Sequence, residues 1–479
     1  MRPMILPFST PFGKYFYEAQ RNEIVKINTN LYDFLQLQSN FPNDDELLPE
    51  NQQTLDEYNQ LVEYGYLSES HINTIEHQQV NTIEQMLDRK LNMITLQLTQ
   101  RCNLRCSYCI YSENSSYNRK HSNISMDFDT AKRAIDFYKR HTIDSDKIAI
   151  AFYGGEPLLE LNLIKKITQY ANKVFKGKKI LFRMTTNATL FNDEAIDFFF
   201  NSENDFLVLI SLDGPSSIQN INRKFPSGKG SFEIVMNNIR NISLKVKNFQ
   251  NKIHVNTVID PKNDYHEIAQ ILNDPLLKDV SFQFNLVEHD GIPVDYEENY
   301  LTEFGYDMFL GYISYFRDNG KNFPNKMIEY NFSYIDDTVS KFRTNVLGEN
   351  AAPGGPCEPG RMRLFVDCFG NFFPCERVSE TSSCMKIGSL DEGFYIDNIK
   401  NMLNIAQLTK EECKNCWAFS LCTVCVKKAD DSEKFSKEIK LKACKAAKRN
   451  ALDKINQKIL TFENSSHEKE WIMKGGINK

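Results

Sequence analysis

Six short apolar runs, each separated from the next by a longer amphipathic stretch, fill the middle of this chain. They are Met93 to Thr99, Lys147 to Tyr153, Ile180 to Thr186, Phe206 to Leu212, Ile253 to Ile259 and Val280 to Val287. Runs of that length predict strands, and the stretches between them are long enough for helices. A repeated βα unit builds a parallel sheet covered by helices and gathers its loops at the C-terminal ends of the strands. The first run passes straight into Cys102-Asn-Leu-Arg-Cys106-Ser-Tyr-Cys109, which puts three thiols at that mouth.

Three cysteines in a C-x3-C-x2-C loop with no fourth nearby are spaced to hold three irons of a four-iron cluster, leaving one iron for a small molecule. A zinc loop or three buried thiols is the competing reading. Polar residues also end the next runs: Phe152-Tyr-Gly154-Gly155-Glu156-Pro157, then Met184-Thr185-Thr186-Asn187-Ala188-Thr189, then Ser211-Leu-Asp213-Gly-Pro215. The glycines are expected to let a ligand approach the backbone, with Glu156 as an acceptor beside it.

With these motifs in strand order, the chain resembles the radical S-adenosylmethionine (SAM) superfamily. The resemblance implies an α/β fold built on a partial (β/α)6 barrel. It also implies SAM bound at the open iron and cleaved to a 5'-deoxyadenosyl radical that abstracts hydrogen. By position, it assigns SAM binding to Gly154, Gly155, Glu156, Pro157, Thr185, Asn187, Ser211 and Arg223, with Tyr108 beside the adenine. A solvated loop arginine competes for Arg223, and core packing for Tyr108. Ala188 stands where the family usually has glycine.

Nine of the twelve cysteines lie between Cys357 and Cys444. In a reducing compartment, clustered thiols are metal ligands sooner than disulfides. Cys357 is followed by Gly370 and Cys375, then by Cys413, Cys416, Cys422 and Cys425, and last by Cys444. The two C-x2-C pairs stand closer together than zinc knuckles, which keep roughly 15 to 20 residues between pairs. The pattern resembles the SPASM extension of peptide-modifying radical SAM enzymes, with two residues before Cys425 where the family has three. The resemblance places auxiliary cluster II on Cys413, Cys416, Cys422 and Cys444, and auxiliary cluster I on Cys357, Cys375 and Cys425, for three 4Fe-4S clusters in all. Cys368 and Cys384 remain. Either supplies a fourth bond to cluster I, Cys384 being counted among the ligands, or both are core residues and one iron stays open to a substrate thiolate. Glu376 occupies the position of an acidic general base in sulfatase maturases, with a surface carboxylate or salt-bridge partner as the alternative.

Lys14 to Asn28 predicts a hairpin turning at Gln20-Arg21-Asn22, followed by helices near Thr29 to Gln38 and Thr54 to Tyr64. This resembles the winged-helix units that pair a leader peptide along a sheet edge; a structural cap is the alternative. The expected order is a recognition domain (1–88), the radical SAM barrel (89–300), a helical linker (301–350), the SPASM domain (351–450) and a C-terminal helix with tail (451–479). Lys plus Arg total 57 against 63 Asp plus Glu, with no basic block, which argues against a nucleic-acid partner. No apolar run approaches the roughly 18 residues of a membrane span, so the expectation is a cytoplasmic enzyme. Its expected reaction joins cysteine sulfur to carbon as a thioether in a ribosomally made, cysteine-containing precursor peptide, as in sactipeptides and ranthipeptides. A flavodoxin or ferredoxin is the expected reductant. Formylglycine generation on sulfatases and carbon-carbon crosslinking are the alternatives.

Overall fold

The computed structural model describes residues 3–40, 48–112, 118–287, 296–318, 320–333, 346–355 and 357–464. All twelve cysteines fall within them. The chain opens with three antiparallel strands, β1 (Ile5–Thr10), β2 (Gly13–Glu18) and β3 (Glu23–Ile27). The expected hairpin is the β2–β3 pair, with Asn22 at φ +56 in its turn. Strand β1 has no counterpart in the sequence reading because Pro7 breaks a strand pattern except on an edge, and β1 is an edge. The helices Thr29–Asn40 and Gln52–Glu63 follow as expected.

The six apolar runs form β4 (Ile94–Thr99), β5 (Lys147–Gly154), β6 (Lys179–Thr186), β7 (Asp205–Ser211), β8 (Ile253–Ile259) and β9 (Ser281–Leu286). They pair in parallel and in chain order. Alternation sorts the two faces. Phe152, Phe182 and Phe206, one from each of three neighbouring strands, stack with ring centroids 6.1 and 5.1 Å apart in the main core. The opposite face is half-buried and carries Tyr153, Arg183, Thr185, His254 and Asn256.

The sheet does not stop at β4. On its other side lies β10 (Leu364–Val366), parallel to it, then antiparallel β11 (Asn371–Phe373), β12 (Gly388–Ser389) and β13 (Gly393–Phe394). The sequence from Arg361 to Phe373 predicts a hairpin turning at Cys368-Phe-Gly370-Asn371; it is present as β10 and β11, and it extends the parallel sheet. That explains why every residue of β4 is buried.

The N-terminal sheet packs on the C-terminal cysteine field. Met4, Phe8, Tyr15 and Tyr17 share a core with Phe419, Leu421, Ala451 and Ile455, and Cys413 and Cys416 pack against it. Ser420 Oγ donates to the Ala19 carbonyl at 2.7 Å. Glu18 is fully buried in this region; its Oε1 accepts from Leu67 N at 3.0 Å and its Oε2 is buried without a hydrogen-bond partner. Burial pushes its carboxyl up to about 7. An acid that holds its proton more tightly when folded loses stability as pH rises from the ordinary carboxylate value through the folded one, here from about 4.5 to about 7. The loss is about 3 kcal/mol. Denaturant melts of the full chain at the two ends of that window should show it, and Glu18→Gln should remove that part of the slope. Among the described residues no helix is long and apolar enough to cross a membrane.

Candidate active site

The cysteine loop follows β4 and is clamped by the ends of the neighbouring strands. Gly155 N donates to the Thr99 carbonyl and Glu156 N to the Arg101 carbonyl, both at 2.8 Å. A methyl group at Gly154 would stand 2.3 Å from the Thr99 oxygen, and one at Gly155 would stand 2.0 Å from the Arg101 oxygen. Gly154 also has φ +141. The glycines thus let the β5 end lie against the cysteine-loop backbone, a tighter requirement than the ligand approach expected of them. Pro157 opens the short turn Pro157–Glu160.

Glu156 is 1% exposed and its carboxylate is fully engaged. Oε1 accepts from Leu158 N at 3.0 Å and Thr186 Oγ1 at 2.6 Å, and Oε2 accepts from Asn187 N at 2.7 Å. It therefore ties the β5 end to the β6 end instead of presenting a free acceptor. Asn187 in turn donates to Asn103 Oδ1 at 2.8 Å within the cysteine loop. Ala188, in the family's glycine position, is buried at φ +59, so a left-handed backbone accounts for that glycine. Thr185 is half-buried on the polar face, and Ser211, at the end of β7, is 6% exposed.

Tyr108 and Arg223 meet on a residue that sequence reasoning passed over. Arg223 Nε and Nη2 donate to Asp213 Oδ2 and Oδ1 at 2.8 and 3.1 Å, and the Tyr108 hydroxyl donates to Asp213 Oδ2. Asp213 is fully buried, and Val258 N donates to its Oδ1 at 3.0 Å. Arg223 also pairs with Cys106 as a short antiparallel bridge. Both expected SAM contacts are thus engaged in locking the cysteine loop to the ends of β7 and β8. The available signal was an acid directly after a strand, ten residues before an arginine.

The thiols fall into three groups by mutual electrostatic influence. Cys106 and Cys109 act on Cys102. Cys357 and Cys425 act on Cys375, and Cys425 on Cys357. Cys413 acts on Cys416, Cys422 and Cys444, and Cys444 on Cys416. Burial pushes Cys102 up to about 12 and Cys106 up to about 11. Among the described residues no group of three His, Cys, Asp or Glu gathers for a single metal ion. The donor chemistry, thiols in sets of three, three and four, fits iron-sulfur clusters. Cys368 lies elsewhere, its thiol donating to the Gln97 carbonyl at 3.2 Å. Cys384, counted among the ligands from sequence, instead donates to Asp430 Oδ1 at 3.4 Å.

Glu376 directly follows Cys375 in the chain. One oxygen pairs with Arg363 Nη1, while Oε2 is buried with no hydrogen-bond partner. Its charge acts on Tyr153, as does that of Cys109, and Arg363 is influenced by Cys375 and Cys357. The Tyr111 hydroxyl donates to the Glu376 carbonyl at 3.5 Å, so the segment after the first cysteine loop reaches the residue that follows Cys375.

Residues 96–274 match the family model of the radical SAM superfamily. The chain is a radical SAM superfamily enzyme. It is 27% identical over 373 residues to a cysteine-type anaerobic sulfatase-maturating enzyme of Clostridium perfringens, covering 72% of this chain and 91% of that one. To an uncharacterized protein of Methanocaldococcus jannaschii it is 37% identical over 178 residues, spanning 37% of this chain and 56% of that protein. The solved structure of native anSMEcpe with bound AdoMet shares the fold at a TM-score of 0.55 and 22% identity, covering 77% of this chain and 99% of that one.

Proposed function

We propose that this enzyme is a peptide maturase that joins the sulfur of a substrate cysteine to carbon as a thioether. The observation that carries the reading is the group Cys357, Cys375 and Cys425, with the thiols of Cys368 and Cys384 turned to the Gln97 carbonyl and to Asp430. Three thiolates on a four-iron cluster leave one iron for a substrate thiolate. Glu376 Oε2, buried and unpartnered beside Cys375, is the acceptor for a substrate proton, while Arg363 orients the carboxylate. SAM with the first cluster supplies the carbon-centred radical chemistry. Around it, Glu156, Asn187 and the Asp213–Arg223 pair hold the cysteine loop in place.

In this reading the barrel takes the half-buried polar face as its substrate side. The winged-helix-like unit (1–88) recognises a leader, and the SPASM field (351–450) carries two auxiliary clusters. A flavodoxin or ferredoxin supplies electrons in the cytoplasm. The second reading, formylglycine generation from a sulfatase cysteine, is favoured by the likeness to sulfatase-maturating enzymes over most of their length.

Glu376→Gln tests the assigned base. It should leave peptide-independent 5'-deoxyadenosine release near wild type and cut peptide product by roughly 10²- to 10⁴-fold. Undiminished product would remove Glu376 from the chemistry.

A further inference from the structure

The long helix Lys437–Asn464 buries one stripe, Lys440, Ala447, Ala451, Ile455 and Ile459. Residues spaced by three, four, seven and eight share a helix face, so this side is the one turned to the core. Four of the five are apolar; the exception is a lysine, 3% exposed. Lysine is almost never buried without a paired charge. Among the described residues Lys440 forms no ion pair: its charge reaches Glu412, but that exposed carboxylate is held by Lys437 at 2.7 Å. The position is unfavourable for a further reason. Lys440 lies in the first turn of the helix, where the backbone dipole already presents positive charge.

The ammonium reaches the cysteine field through a hydroxyl. Lys440 Nζ donates to Thr409 Oγ1 at 2.6 Å, and that hydroxyl lies 3.3 Å from Cys413 Sγ. One turn on, Cys444 Sγ lies 3.8 Å from the Lys440 carbonyl. The lysine's charge also acts on Cys422 and Cys444. A neutral pocket gives such a cation nothing in return for its lost hydration, whereas a group of thiolates does.

We propose that Lys440 is the buried counter-cation of the iron-sulfur cluster held by Cys413, Cys416, Cys422 and Cys444, and that its charge raises the reduction potential of that cluster. The inference rests on reading those four cysteines as the ligands of one cluster. Reduction adds an electron to a group that is already anionic, so a fixed cation in a poorly hydrated pocket stabilises the reduced form more than the oxidised one. Lys440 is a positioning residue in this sense, acting through the cluster and touching no substrate.

The test is a redox titration of the full, anaerobically reconstituted chain followed by electron paramagnetic resonance, with iron content measured alongside. The signal of this cluster is the one lost in Cys413→Ser/Cys416→Ser. If that double variant loses neither iron nor a signal, the four-cysteine reading fails. If it does lose a signal, Lys440→Met should shift that signal's reduction equilibrium at least tenfold toward the oxidised form, about 59 mV for one electron. Lys440→Arg, which keeps the charge, should stay within that margin. A fully loaded Lys440→Met chain with an unchanged potential overturns the proposal. Should the methionine variant not load, Lys440→Gln, which keeps a donor for Thr409, takes its place. If neither neutral variant loads while arginine does, the charge is required to hold the cluster and the counter-cation stands. If arginine fails as well, the side chain's shape is what matters and the proposal falls.

Discussion

Alanine at Cys102, Cys106 and Cys109 together is expected to abolish SAM cleavage and to remove about four irons per chain. These three thiols act on one another and sit on a loop whose position is fixed from outside by Gly155, Asn187 and Arg223. Those anchors survive the substitutions, so the chain should still fold and keep the iron of the C-terminal cysteine field. Iron analysis and chromatography of 5'-deoxyadenosine after chemical reduction read the two effects together. Retained cleavage in the triple variant would place the reactive cluster elsewhere.

Arg223→Met is expected to give the largest loss of stability from a single side chain. The guanidinium and the Asp213 carboxylate are 8% and 0% exposed, so removing one partner strands a buried charge. Breaking a buried pair from one side costs about 3 to 5 kcal/mol. The loss should be accompanied by weaker iron retention at the first loop, because the Arg223 guanidinium also acts on the Cys106 thiol and Tyr108 shares the same carboxylate. Denaturant unfolding of the reconstituted chain measures the first effect and iron content the second. The double variant Arg223→Met/Asp213→Asn should recover part of the stability by removing the stranded charge. A single variant as stable as wild type would mean that water reaches Asp213.

The six parallel strands were legible because each is a short apolar run followed by a helix-length stretch, and local pattern sufficed to place them. The β10–β11 hairpin was legible too, but its attachment to β4 and the added β12 and β13 were not, because strands of two or three residues carry too little periodicity to register. Long-range pairing of Leu364 with Ile94 decides where that hairpin goes. The cysteine sets could be read from spacing, yet the direction of Cys384 could not, since it depends on Asp430 arriving from 46 residues away. Arg223 and Tyr108 were singled out for a ligand, and Asp213 holds both through contacts that no local motif encodes. Lys440 did leave a trace in sequence, as the one charged member of an otherwise apolar helical stripe.

The central claim, thioether formation at a substrate cysteine, is tested most directly by mass spectrometry of a cysteine-containing precursor peptide coexpressed with the enzyme, before and after thiol alkylation. Joining sulfur to carbon consumes one thiol and removes two hydrogen atoms. The account therefore predicts a peptide lighter by two hydrogens per link, with one fewer alkylatable cysteine for each. A peptide that instead loses sulfur and gains an aldehyde would identify formylglycine chemistry, and one lighter by two hydrogens with every thiol intact would identify a carbon-carbon link or a desaturation; either result would contradict it.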